Sequence, residues 1–273
     1  MRPQDLRSLC LASRPATTPY DLWTSWSLAP EVVLPLLLIL GLYVRRLRRR
    51  PGIQAVSPWQ AACFAAGWLA LVVALVSPLC RMAATLAAAH MVQHVILVAV
   101  APPLLVLGTS SPALRALARG WGRWLATPLV AGLLYGAAIW FWHAPLPYQA
   151  ALLSEGIHLL MYAMLIGAAL LFWRSLIAAA WQEPDRHGAM LSALATTIHT
   201  GLLGALLTFA PTPWYPLLGP RAAGWGLSAL EDQQLAGLIM WVPMGSIYLV
   251  GSVVLMAAWL GAIERRRLHL GPS

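Results

Sequence analysis

The sequence predicts an all-α polytopic membrane protein, a single bundle of seven transmembrane helices. Charged residues are too scarce to cover a soluble surface, apolar residues gather in stretches of about 20, and arginines collect at alternate ends of those stretches. Charged residues make up 10% of the 273, hydrophobic residues 60%, and the mean hydropathy is +0.71. A soluble domain carries about 25% charged residues; a bilayer removes that need, because apolar side chains then face lipid. All 18 basic residues are arginine. A pI near 10.3 suits nucleic-acid binding only where the basic residues form a patch. Here they sit in short segments between apolar stretches, where they set topology, so nucleic acid is excluded as a partner.

Seven stretches are long enough to span. Residues 26–44 form the first, interrupted by Pro30, Glu31 and Pro35. Residues 59–76, 82–107, 124–142, 150–173 and 189–210 follow. The seventh, 232–263, is expected to bend at Pro243, whose ring removes a backbone donor. Helices are expected because no water reaches bare peptide groups in lipid, and none of the stretches alternates with period two. The domain organisation follows: an extracytoplasmic segment 1–25, one transmembrane domain 26–263 and a cytoplasmic tail 264–273. Residues 1–22 are polar and proline-dotted, without the apolar core of a cleavable signal, so the first span is expected to act as an uncleaved anchor.

Arginine placement sets the orientation. "RRLRRR" (45–50) follows the first span, Arg115, Arg119 and Arg123 lie between the third and fourth, Arg174 and Arg186 flank the loop after the fifth, and "ERRR" (264–267) follows the seventh. These segments hold 13 of the 18 arginines and fall on one side, which is then cytoplasmic. Six of the nine acids (Asp5, Asp21, Glu31, Glu155, Glu231 and Asp232) fall on the other. The N-terminus is therefore expected outside and the C-terminus inside. Trp140, Trp142, Trp214 and Trp225 gather at the outer boundary, where interfacial aromatics belong.

Ionisable groups inside spans are costly and mark candidate sites. Of seven histidines, His187 and His269 fall in cytoplasmic segments. The pair in "HMVQH" (90–94) lies at i and i+4 on the third span, so both rings share one helix face with Cβ atoms about 5–6 Å apart. His143 follows the fourth span, His158 is about two turns into the fifth, and His199 is near the middle of the sixth. Because alternate helices run in opposite directions, these depths converge in the outer half of the bilayer.

Neutral imidazoles suit a borderline or soft transition metal such as copper, and two on one rigid helix hold two coordination positions with little ordering cost. The candidate ligands are His90, His94, His158 and His199. Asp232 and Gln233 of "EDQQ" (231–234) are candidates to fix a histidine tautomer, and Met91 and Met161 are candidate thioethers, with Met240 and Met244 deeper. His143 is expected to be a loop or capping residue beside the site. The rival reading is that the rings only hydrogen-bond between helices and the methionines only fill the core. "APPLLVLG" (101–108) reads as a helix end and a turn.

Several chemistries are missing. HExxH, GxxxxGK[ST] and GxSxG do not occur. Cys10, Cys63 and Cys80 share no short spacing, so neither a CxxC motif nor a disulfide framework is indicated. A hydrolase or a transport ATPase is unsupported, and the chain is expected not to be an enzyme.

"HMVQHVILVAVAPPLLVLG" (90–108), "WHAPLPYQAAL" (142–152) with His158 after it, "HTGLLGALLTFAPTPWYP" (199–216) and "EDQQLAGLIMWVPMG" (231–245) resemble the CtaG family, bacterial membrane proteins associated with assembly of caa-type cytochrome c oxidase. The resemblance runs from the second span onward; the first 50 residues carry none of it. It implies a seven-helix protein of the bacterial cytoplasmic (inner) membrane that helps mature the oxidase, with copper for the haem–copper centre as cargo and an oxidase subunit as partner. His90 and His94 fall in the first motif, His143 and His158 in the second, His199 in the third, and Asp232, Gln233 and Gln234 in the fourth. The sequence is thus read as a multi-pass copper-binding assembly chaperone embedded in the lipid bilayer, with a homo-oligomer left open. Two alternatives also stay open: a b-type haem protein with histidines as axial ligands, and a metal-free structural scaffold.

Overall fold

The computed structural model of the chain describes residues 9–49, 56–109, 124–181 and 186–270. Within them no strand occurs. Residues 9–29 form a mostly irregular strap. Helix α1 is Pro30–Arg49, α2 is Pro58–Val76, and α3 is a short Pro78–Ala83. Helix α4, Ala87–Gly108, is continuous across a π turn at Ile96–Val100. Helices α5 (Pro128–His143) and α6 (Pro145–Leu153) meet at a 73° bend. Helix α7 is Glu155–Trp181 and α8 is Arg186–Phe209. Helix α9 runs through Ala229–Ile239, a second π turn at Met240–Met244, and Gly245–Leu270.

Among the described residues, five helices are long and apolar enough to cross a membrane: α2, α4, α7, α8 and the Ala229–Gly261 part of α9. The bent α5–α6 pair makes a sixth if it counts as one span. Helix α1, the first of the seven expected spans, is not among them, because Glu31 and a run of arginines crowd its ends. Apolar side chains face outward around the bundle, with Leu133 74% and Val250 62% exposed, a surface that lipid tolerates and water does not. Helix α4 is the central element, with 67% of its span buried against 39% for α2, α7 and α8.

The prolines explain much of this layout. Pro58, Pro78, Pro128 and Pro145 each open a helix, where the missing N–H is not needed. Capping boxes of Ser57 with Gln60 and Ser228 with Glu231 start α2 and α9. Inside α4, Pro102 has no N–H to give the carbonyl of Val98 four residues back. Trp173 Nε1 of α7 donates to that carbonyl instead, at 2.9 Å. The segment 101–108, expected to turn, is therefore helical to Gly108, with the backbone relaxed by the preceding π turn. Pro243 sits inside the second π turn.

Three further expectations need correction. Helix α4 starts at Ala87 and not near Met82, because α3 is a separate piece; the His90/His94 pair thus lies in the first two turns. Cys10 and Cys80 form a disulfide, with Cα atoms 5.6 Å apart and a separation of 70 in sequence. Short-range spacing is blind to a cross-link that joins the strap to the end of the bundle. Cys63 is free and buried. Trp142, expected in an interfacial belt, is 2% exposed and belongs to the core, whereas Trp23 is 81% exposed. Arg50, Arg115, Arg119 and Arg123, on which the expected orientation partly rests, lie outside the described residues.

Helices α8 and α9 touch backbone to backbone where Gly204 faces Gly237. A Cβ on Gly237 would stand 2.6 Å from both Gly204 O and Thr208 N, so only glycine allows this approach. Gly237→Ala is expected to destabilise the bundle by about 1–3 kcal/mol. The check is a lowered thermal midpoint of the detergent-solubilised chain; an unchanged midpoint would mean that the helices separate at no cost.

Candidate functional site

Four imidazoles gather at the strap end of the bundle. His90 and His94 come from the first two turns of α4, His143 is the last residue of α5, and His158 lies in the first turn of α7. The 73° bend between α5 and α6 turns the chain back over this end, which brings His143 inward. All four are sealed, at 1% exposure for His90 and 2% for each of the others. Ring centroids are 4.2 Å apart for His90 and His94 and 5.4 Å apart for His94 and His143. His158 is near enough that charge on it acts on both His90 and His94.

Three of the rings are held by one nitrogen. Nδ1 of His90 lies 3.3 Å from Ala83 O, Nδ1 of His143 lies 2.7 Å from Ile139 O, and Nδ1 of His158 lies 2.9 Å from Ala151 O. A carbonyl only accepts, so each Nδ1 carries the proton and each Nε2 of a neutral ring presents a lone pair. None of these Nε2 atoms has a hydrogen-bond partner. His94 has no partner at either nitrogen. Buried polar atoms are normally paired, and a group of orphans calls for a physical reason.

Aromatic groups form the walls. Tyr148 of α6 stands edge-on to His90 at 4.8 Å, and Tyr162 of α7 edge-on to His158 at 4.5 Å. The Tyr148 hydroxyl and Trp142 Nε1 are also buried without a partner. Tyr215, in the segment between α8 and α9, donates its hydroxyl to His143 O at 2.8 Å. Burial pushes its pKa up, so the phenol keeps the proton it donates.

The expected ligand His199 is not in this group. It sits in the middle of α8, half-buried in a groove of about 550 Å³ between α5 and α8, lined also by Gly132, Gly136, Trp140, Ser192 and Thr196. Its Nδ1 accepts from Trp140 Nε1 at 3.3 Å, and the missing side chain at Gly136 makes room for its Nε2. His143, expected beside the site as a cap, takes a place within it. Asp232 acts on the helix and not on a ring: its two oxygens accept the amides of Ala87 at 2.7 Å and Ala88 at 3.0 Å, capping α4 one turn before His90. Gln233 accepts from Trp214 N at 2.5 Å and donates to Leu207 O at 3.4 Å, bracing the segment after α8. Met91 and Met161 are core residues at 2% and 0% exposure.

Among the described residues, no three His, Cys, Asp or Glu side chains form a group that could hold a metal ion as they stand. The cluster consists of neighbouring rings, of which His94 alone is bonded at neither nitrogen.

A family description, the cytochrome c oxidase caa3 assembly factor (Caa3_CtaG), matches residues 38–262. The chain belongs to this family. No curated protein and no solved structure matches it. The Caa3_CtaG match takes in every helix of the histidine cluster and begins inside α1, so the strap 9–29 stands before it. Sequence reasoning missed the contributions of Tyr148, Tyr215 and the disulfide. One signal for the last was available: the expected topology puts Cys10 and Cys80 on the same side of the membrane and Cys63 within a span.

Proposed function

We propose that this caa3 assembly factor is a multi-pass protein of the bacterial cytoplasmic membrane that carries copper in the His90, His94, His143 and His158 cluster and hands it to an oxidase subunit. The observation that carries this reading is the set of four sealed Nε2 atoms without partners, three of them on rings locked as Nδ1–H tautomers. Tying one ring nitrogen to a carbonyl is how proteins aim the other at a metal. Unlike a structural hydrogen bond between helices, this arrangement leaves the reactive lone pairs unused.

The donor set favours Cu(I). All four donors are neutral, and the nearby carboxylate, Asp232, is committed to two backbone amides. The cost of moving an ion out of water grows with the square of its charge, so a divalent ion without anionic ligands is penalised far more than a monovalent one. The absence of thiolate suits a carrier, whose cargo must leave. The chain in this reading binds and passes on an ion and performs no catalysis.

The same reading places the cluster on the extracytoplasmic side. Disulfides persist in oxidising compartments, and Cys10–Cys80 lies at the histidine end. Helix α1 would be the additional span that makes seven, since it shows Leu34, Leu37, Leu38 and Leu42 to its surroundings and holds its charges at its two ends.

Elemental analysis of detergent-purified protein tests the proposal. Copper is expected in stoichiometric amount in the native chain and is lost from a His90→Asn/His94→Asn double variant that still folds. Equal copper in both proteins, or a haem absorption spectrum in the native one, would overturn it. Metal-free native protein that supports oxidase maturation would favour a scaffold instead.

A further inference from the structure

We propose that the strap, locked by Cys10–Cys80, is the positioning element for His90 and His158, and that oxidation of these two cysteines is the step that completes the histidine site. The link runs through two pairs of adjacent carbonyls. Ala83 O holds His90 Nδ1, and the next carbonyl, Ala84 O, accepts Arg221 Nε at 2.9 Å. Arg221 spends its other nitrogens on the strap, donating to Ala12 O at 2.8 Å and to Arg14 O at 3.0 Å. Ala151 O holds His158 Nδ1, and the next carbonyl, Leu152 O, accepts the amide of Ala12 at 2.8 Å.

Ala12 is therefore a shared node. Its N–H reaches the segment that fixes His158, and its carbonyl reaches, through Arg221, the segment that fixes His90. The disulfide anchors that node: Cys10 is two residues before Ala12, Cys80 is three before Ala83, and Ala84 packs against the cystine. His143 differs, because Ile139 O belongs to its own helix. Both cystine residues are 1% exposed, so the bond once formed is shielded from thiols and works as a permanent lock. Forming it removes one proton and one electron from each thiol. An oxidised dithiol carrier of the thiol-oxidase class takes both, its own disulfide becoming two thiols. Such an oxidation must precede copper loading.

The affinity part of this inference rests on the copper reading; the ring geometry does not. The test uses the full chain in detergent, labelled with 15N-histidine, as native protein, as the Cys10→Ser/Cys80→Ser double variant and as Arg221→Gln. In the native protein the NMR shifts of His90, His143 and His158 are expected to report the Nδ1–H tautomer. In the cysteine variant His90 and His158 move to the mixed tautomers of water-exposed rings, in Arg221→Gln His90 does, and His143 keeps its own in both. Cu(I) affinity, measured by competition with bicinchoninate, falls at least about tenfold, equivalent to 1.4 kcal/mol. Unchanged shifts at His90 in both variants, or at His158 in the cysteine variant, overturn the proposal. Loss of the His143 tautomer as well overturns it too, since general loosening and not positioning would then be at work. Native protein that binds no Cu(I) defeats the copper reading, and the tautomers still decide the role of the strap.

Discussion

His143→Ala is expected to weaken Cu(I) binding by about two orders of magnitude, close to 2.7 kcal/mol, while His199→Ala leaves it unchanged. The two residues separate the donor set expected from helix depth from the set that the packing assembles. His143 has a sealed Nε2 without a partner and lies 5.4 Å ring to ring from His94. His199 already uses Nδ1 to accept from Trp140 and stands half-buried in a groove on another face of the bundle. Competition with a Cu(I) chelator measures both variants under identical conditions. Loss of affinity in His199→Ala with none in His143→Ala would restore the depth-based set and remove the cluster described here. Because the Nδ1 of His143 is held within its own helix, its truncation disturbs little beyond the site, so a lost donor and a lost fold are readily told apart by the thermal midpoint.

The helices themselves were legible because a bilayer writes its thickness into the chain: each span must hold about 20 apolar residues, and that count alone located α2, α4, α7, α8 and α9. The "HMVQH" pair was legible because i and i+4 share a face on any helix. The faces of the helices were not. A soluble helix announces its buried side by polar residues on the other. In lipid both sides are apolar, so depth can be counted from sequence while azimuth cannot. His158 and His199 are alike on depth, yet one turns inward and the other toward α5. His143 reads from the sequence as a loop or capping residue because it follows the fourth span, and the 73° bend that seats it inside comes from the α5–α6 junction as a whole. The disulfide escaped for a related reason, since its two cysteines meet only when the strap folds back over the bundle end. Asp232 reads from the sequence as a group that fixes a histidine tautomer, but its target is a helix end and not a ring, a distinction that requires knowing that α4 begins at Ala87.

That distinction gives Asp232→Ala a large expected effect. The residue before α4, Leu86, has no side-chain group to cap it, so the first amides of the central helix depend on a carboxylate from α9, which is 1% exposed. Truncation leaves the amides of Ala87 and Ala88 buried and unpaired, at about 1–3 kcal/mol each, and removes a negative charge from the positive end of the helix dipole. The expected result is a loss of several degrees in thermal midpoint together with weaker copper binding, because His90 sits in the turn that frays. Asp232→Asn keeps one acceptor oxygen of the same shape and is expected to fall between the native chain and the alanine variant in both measurements. The ordering matters more than the size. An asparagine variant with native stability and no copper would mean that the carboxylate's charge serves the metal directly, and the division between a capping acid on α9 and a purely neutral histidine cluster would then be wrong.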